Sequence, residues 1–243
     1  MPGIGTLVNI ATIFLGSLIG VFFNKLIPQK VKDTVIQGVG LAVILIGLSG
    51  AIRSNVFVDI NNNFKLDSQY TLTLILSLVI GGAVGEIIDI EAHLDSFAKK
   101  FEQKLSFSGS FAQGFVTATL VFCVGAMAIV GSLEDGISHN PDTLIAKATL
   151  DGISSMIFSS TLGIGVMFSI FPVGIYQGLI TFLAAFIAPF LTDAVIAQMS
   201  LVGSMLIFCI GLNMLNISKL KVGNLLPAIF MPPIFDLVLR LIK

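Results

Sequence analysis

The sequence predicts an all-α, polytopic integral membrane protein with about eight transmembrane helices, and three observations predict it. Of 243 residues, 55% are hydrophobic and only 11% charged, where a soluble domain carries roughly a quarter charged residues. The mean hydropathy is +1.00. The apolar residues fall in long runs nearly free of charge, close to the roughly 20 residues a helix needs to cross a hydrocarbon core of about 30 Å. They do not form the alternating segments of about ten that build a membrane β-barrel.

The runs place helices near 4–24, 33–52, 70–90, 111–133, 146–170, 172–191, 197–216 and 222–241. The first lacks a basic leading segment, and its small residues Gly16, Ser17 and Gly20 repeat instead of marking one cleavage point, so it reads as a retained span and not a signal peptide. The third places Gly81, Gly82 and Gly85 ahead of Glu86, a face that lets another backbone approach. The fourth ends in "EDGISHNPD" at 134–142, whose Asp, Gly, Asn and Pro are turn residues; Glu134 and Asp135 there mark either a solvated turn or a cation-attracting vestibule. The eighth contains Pro232 and Pro233, which remove helical hydrogen bonds and free carbonyls at that depth.

Lys25, Lys30 and Lys32, then Lys99, Lys100 and Lys104, then Lys219 and Lys221 occupy three loops that share one face if the spans number eight. The positive-inside rule makes that face cytoplasmic, leaving both termini outside. Lys147, near the start of the fifth span, is expected to snorkel outward.

The first third recurs in the last. "FLGSLIGVFF" at 14–23 matches "FLAAFIAPFL" at 182–191, "ILIGLSG" at 44–50 matches "FCIGLNM" at 208–214 with Gly47 against Gly211, and "IGGAVGEIIDI" at 80–90 lies against "FMPPIFDLVLR" at 230–240 with Glu86 against Asp236. With two spans between them the triplets are inverted, an arrangement on which many secondary transporters build alternating access; chance likeness among apolar helices is the competing explanation. The resulting division is 1–95 as a first three-helix repeat, 96–171 as a cytoplasmic loop and central helix pair, and 172–243 as the inverted second repeat.

Polar groups inside a bilayer cost free energy and call for a reason. In "DGISSMIFSSTLGIG" at 151–165, Asp151, Ser154, Ser155, Ser159, Ser160 and Thr161 spread around much of a helix, so some face protein or a wet cavity. With Gly152, Gly163 and Gly165 on either side, the segment reads as a broken or closely packed span lining a site; small-residue packing with hydroxyls bonded back to their own helix is the other reading. Glu86 is either a proton or cation group or an acid at the membrane boundary. Asp236 is a similar candidate, or one half of an ion pair with Arg240 four residues on. Asn9, Asn213 and Asn216 are further amides in or near spans.

Cys123 and Cys209 sit in apolar runs as small hydrophobes, and His93 and His139 lie in separate loops, so neither a disulfide nor a zinc site is expected. The net charge of −1 offers no basic stripe for nucleic acid. No catalytic constellation or phosphate loop is present, and neither enzymatic activity nor a cofactor is expected.

"GTLVN" near the start, "CVGAMAIVGSLEDG" at 123–136 and "LDGISSMIFSSTLGIGV" at 150–166 resemble the bacterial YdfK/YqgA family of multispan proteins, classed by a domain of unknown function. The likeness covers essentially the whole chain and is densest in the two central helices. It implies a bacterial plasma-membrane location and supplies no substrate or catalytic residue. The expectation is a secondary transporter of a small solute or monovalent cation, driven by Na⁺ or H⁺ and working as a homodimer within the lipid bilayer. An ion channel and a non-catalytic membrane scaffold are the alternatives.

Overall fold

The computed structural model describes residues 2–26, 28–59, 65–93, 96, 111–123 and 126–242. The protein is an all-α polytopic membrane protein, and within the described residues its helices are α1 (Ile4–Leu26), α2 (Gln29–Asn55), α3 (Thr71–Ile88), α4 (Phe111–Cys123), α5 (Ala126–Ile137), α6 (Asp142–Leu162), α7 (Ile170–Phe182), α8 (Ala184–Ile187), α9 (Asp193–Met214), α10 (Val222–Leu225) and α11 (Met231–Ile242). A short antiparallel ribbon, β1 (Val56–Asp59) with β2 (Lys65–Ser68), joins α2 to α3 and pairs Val56 with Ser68. It went unforeseen because the two strands are four residues each, although the β-branched and aromatic "VFV" carried the signal.

Among the described residues six helices are long and apolar enough to cross a membrane, or seven if α4 and α5, bent by 58°, count as one. That total takes 142–182 as a single 41-residue element, which at 1.5 Å per residue would reach about 60 Å, twice a hydrocarbon core. Its contacts fold it back. Along α6, Leu144, Gly152 and Ser159 meet Gly5, Thr12 and Gly20 of α1, so the two helices run parallel. Along α7, Gly174 meets Ile10 and Gln177 meets Asn9, so α7 returns antiparallel to α1. The reversal falls at the 3₁₀ segment Gly163–Ser169, where Gly163 has φ +78°, a backbone state that favours glycine.

Three expectations about breaks need correction. α6 runs unbroken through Gly152, which packs against Thr12; close packing on a neighbour, and not helix weakening, is what this glycine permits. The fourth span, expected as one helix, is bent instead. In the last span the interruption is the 3₁₀ segment Leu226–Phe230, which contains Pro227, while Pro232 and Pro233 lie in the first turn of α11, where the missing N–H would have had no helical partner anyway.

Two further seams hold the bundle. α2 crosses α9 antiparallel, with Gly47 on Ser204 and Phe208, Gly50 on Ser204, Gly40 on Met214 and Leu215, and Gly211 on Ile44. α3 lies on the last span through Gly81 on Ala228 and Gly85 on Asn224. In hydrocarbon no hydrophobic force drives helix association, so small residues that bring backbones together supply dispersion contacts instead. Large apolar side chains turn outward at the periphery, among them Leu7, Leu45, Leu72 and Phe186.

Candidate binding site within the membrane

The polar centre of the bundle is built by α1, α6 and α7. Asp151 stands midway along α6, and one helical turn earlier Lys147 points at the same place, so the two form an i,i+4 ion pair through Asp151 Oδ2. Their side chains are only 9% and 7% exposed. The expected snorkelling of Lys147 is overturned: the residue is buried, and its ammonium lies 5.9 Å from the centroid of the Phe122 ring, a cation–π contact. Reaching water would leave the Asp151 carboxylate buried alone, the costlier state.

Asn9 of α1 donates both hydrogens of Nδ2, one to Asp151 Oδ2 at 3.0 Å and one to Gln177 Oε1 of α7 at 3.3 Å. The carboxylate fixes the orientation, because only the Asn9 nitrogen can donate to it, and Gln177 must then present its oxygen. Asn9 and Gln177 are both 0% exposed. Asn9 Oδ1 and Gln177 Nε2 find no hydrogen-bond partner among the described residues, nor do the hydroxyls of Thr6 and Thr181. A buried amide acceptor and a buried amide donor thus flank a buried ion pair, each with unused capacity that costs about 1–3 kcal/mol to leave unmet.

The hydroxyls singled out by the sequence divide. Ser155 Oγ donates to Gly152 O at 2.8 Å, with Ile13 O of α1 at 3.2 Å. Ser160 donates to Ile157 O and Thr161 to Phe158 O, so both spend their hydrogen bonds on their own helix. Ser159 is fully buried against α1 without a partner among the described residues, and Ser154 is half-buried.

The remaining candidates lie elsewhere. Glu86 is exposed, pairs with Lys221 and accepts from Asn224 Nδ2 at 2.6 Å. The hydrogen bond that Lys221 itself donates to Glu86, with the charge of Glu86 behind it, holds the Lys221 ammonium above the ordinary lysine range. Asn213 organises the loop after α9, its Oδ1 accepting from Ser218 Oγ and Leu220 N and its Nδ2 donating to Leu220 O. Asp236 pairs with Arg240 at 2.7 Å, and Arg240 also donates to Pro189 O. The structure does not bring Glu86 and Asp236 together. Asp135 is fully buried and accepts from Gly3 N and Gly5 N, stabilising the start of α1, while Glu134 accepts from Thr143. Among the described residues no group of three or more His, Cys, Asp or Glu side chains could hold a metal ion.

Sequence reasoning missed Gln177 and misjudged Lys147. The signal for the lysine was its i,i+4 spacing to Asp151; the signal for the glutamine was an amide inside a span, at the position that the 14–23 to 182–191 match assigns to Asn9 when extended backwards.

Fold and site together define a multi-pass helical membrane protein whose central ionisable groups are enclosed by protein and not by lipid. A family model described as "Protein of unknown function (DUF554)" matches residues 4–237, and the chain belongs to that family. It is similar to the uncharacterized membrane protein YdfK of Bacillus subtilis (strain 168), 32% identical over 236 residues that cover 97% of this chain and 96% of that one. It is also similar to the uncharacterized protein YqgA of Escherichia coli (strain K12), 27% identical over 234 residues and 94% of each chain. No solved structure matches.

Proposed function

We propose that the protein is a secondary transporter that moves a small solute or cation across the bacterial plasma membrane, coupled to Na⁺ or H⁺, with the Asn9–Lys147–Asp151–Gln177 cluster at its centre. The observation that carries the proposal is the burial of this ion pair beside two amides with unused hydrogen-bonding atoms, since intramembrane ionisable groups that face a bundle interior mark ion and substrate pathways.

Support for the inverted architecture comes from the α2–α9 seam. The register that matches 44–50 to 208–214 exchanges Gly47 with Gly211, Ile44 with Phe208, Gly50 with Met214 and, extended, Gly40 with Ser204. A twofold relation then requires the Gly47–Phe208 contact to recur as Gly211–Ile44, and Gly50–Ser204 to recur as Met214–Gly40. Both recurrences are present. In the neighbouring match Asn9 and Gln177 are equivalent positions, and they hydrogen-bond to each other, as residues on a pseudo-twofold axis would. Counting α6 and α7 as separate legs and α4 with α5 as one gives eight crossings, the number that inverts the two triplets. Transporters of this kind place their sites where the repeats meet.

The test is reconstitution into vesicles. Solutes and ions that raise the melting temperature of the purified protein are offered under imposed Na⁺ or pH gradients. Saturable, gradient-driven uptake that Asp151→Asn abolishes is the expected result. Passive unsaturable flux would point to a channel. No flux, with cellular phenotypes unaltered by the same variant, would leave a scaffold.

A further inference from the structure

Beside the charged cluster lies a cavity of about 220 Å³ that the ion pair does not line. Thr119 and Cys123 of α4, Tyr176 of α7, Met199 and Ser200 of α9 and Phe230 of the 3₁₀ segment line it. Among the described residues no charged side chain contributes. The cavity sits where two spans depart from regular helix: at the α4 end that precedes the 58° bend, and at the 3₁₀ interruption before α11. Interrupted helices in membrane carriers surround substrates.

Two hydroxyls in this wall have hydrogen-bonding capacity to spare, as Thr6, Ser159 and Thr181 have elsewhere in the bundle. Ser200 is 6% exposed, and neither its Oγ nor Thr119 Oγ1 has a hydrogen-bond partner among the described residues. Serine and threonine in a helix ordinarily satisfy themselves on a carbonyl one turn back, as Ser160 and Thr161 do in α6. Phe230, in the same wall, is half-exposed. The cavity and the charged cluster share walls: α4 gives Phe122 to the cluster and the next residue, Cys123, to the cavity, while α7 gives Gln177 to the cluster and Tyr176 to the cavity.

We propose that this cavity is the substrate chamber of the carrier, and that its substrate is a compact, uncharged amphiphile: an apolar body of about ten non-hydrogen atoms bearing a hydroxyl or similar group that bonds Ser200 and Thr119. This rests on the transport reading and assigns its cargo. An apolar cavity of about 150 Å³ accommodates benzene, so 220 Å³ admits a substituted ring. The uncharged wall excludes ions, and the two hydroxyls set a preference that shape alone cannot. Cation coupling then belongs to Asp151 and Lys147, and solute binding to the chamber.

Thermal titration of the purified full-length protein with p-cresol and with toluene tests the assignment, because the two probes share a shape and differ in the hydroxyl. One net hydrogen bond is worth roughly a fivefold change in affinity. p-Cresol is expected to half-saturate at about a fifth of the toluene concentration, at matched partitioning into the detergent. Ser200→Ala should remove most of that preference while keeping toluene binding, and Ser200→Trp, whose indole takes up most of the chamber, should abolish both. Equal affinity for the two probes in the wild-type protein, or a response retained in Ser200→Trp where its own melt is cooperative, would overturn the proposal. Stabilisation by phospholipid that competes with p-cresol would overturn it in favour of a lipid chain as occupant. The titration reads occupancy without transport, so a failed chamber and a failed carrier are separable: selective p-cresol binding by a protein that moves no solute in vesicles sinks the carrier alone, and solute uptake by a protein with no preference for p-cresol sinks the chamber alone.

Discussion

Replacing Asp151 by asparagine isolates the charge of the buried pair. The shape is kept, Asn9 Nδ2 retains an oxygen to donate to, and only the negative charge beside Lys147 is lost. Removing one partner of a buried pair costs about 3–5 kcal/mol, because the survivor is left uncompensated. The face of Phe122, 5.9 Å from the ammonium, offsets on the order of 1 kcal/mol of that. A net loss of about 2–4 kcal/mol corresponds to about 4–16 °C in melting temperature, at the roughly 2–4 °C per kcal/mol expected for chains of about this length. Lys147→Met should cost a comparable amount, since the Asp151 carboxylate then keeps only the Asn9 donor. The double variant removes both charges, so it should lie within about 1 kcal/mol of the wild-type protein. Differential scanning of all four forms in one detergent closes the cycle. Additive single effects, or single variants that melt with the wild-type protein, would refute the claim that the pair is desolvated and mutually dependent.

Three other perturbations test the packing and the loop junctions. A Cβ at Gly16 runs into the carbonyl oxygen of Gly152, whereas one at Gly178 meets nothing within 4 Å; Gly16→Ala is therefore expected to cost about 1–3 kcal/mol and Gly178→Ala to be neutral or slightly stabilising, as thermal melts will report. Asn224 is 2% exposed, accepts from Glu91 N at 2.7 Å and donates to Glu86, so Asn224→Ala should lose about 2 kcal/mol in the same assay, and Asn224→Asp should lose at least as much, because a carboxylate oxygen then faces that of Glu86 where an N–H donated. Lys221 is held above its ordinary value by Glu86, so its contribution is complete below about pH 10.4 and disappears only as pH rises through the higher folded value. The melting difference between wild type and Lys221→Met should accordingly stay flat from neutral pH upward and close only in that alkaline range.

Much of the architecture was legible because a bilayer reduces the possibilities: a backbone in hydrocarbon must satisfy itself, so long apolar runs become helices. The glycine seams were legible for a related reason. Gly47, Gly81, Gly85 and Gly211 stand where backbones touch, and their spacing is visible in the sequence. The breaks were not. Gly152 and Gly163 look alike in sequence, yet one packs inside a continuous helix and the other takes a positive φ, a distinction made by what each faces. The polar centre was half legible. Asp151 announced itself, but a search along one segment for polar residues favoured its serines over Asn9 and Gln177, whose partnership is formed by helices far apart in the chain.

Stability gives little reason for Lys147 and Asp151 to be where they are. Two apolar side chains of similar size would fill the same volume without the cost of desolvating two charges, and buried pairs replaced in that way commonly leave a protein as stable or more so. Asn9 and Gln177 sharpen the point, since each holds a polar atom with no partner among the described residues where leucine would leave none. If the double variant matches the wild-type melting temperature yet the reconstituted protein no longer moves solute, the cluster must act in transport, because its contribution to folding will have been measured and found close to zero. If the double variant is stable and transport persists, coupling lies outside the pair, and the exposed Glu86–Lys221 and Asp236–Arg240 pairs become the groups to neutralise next.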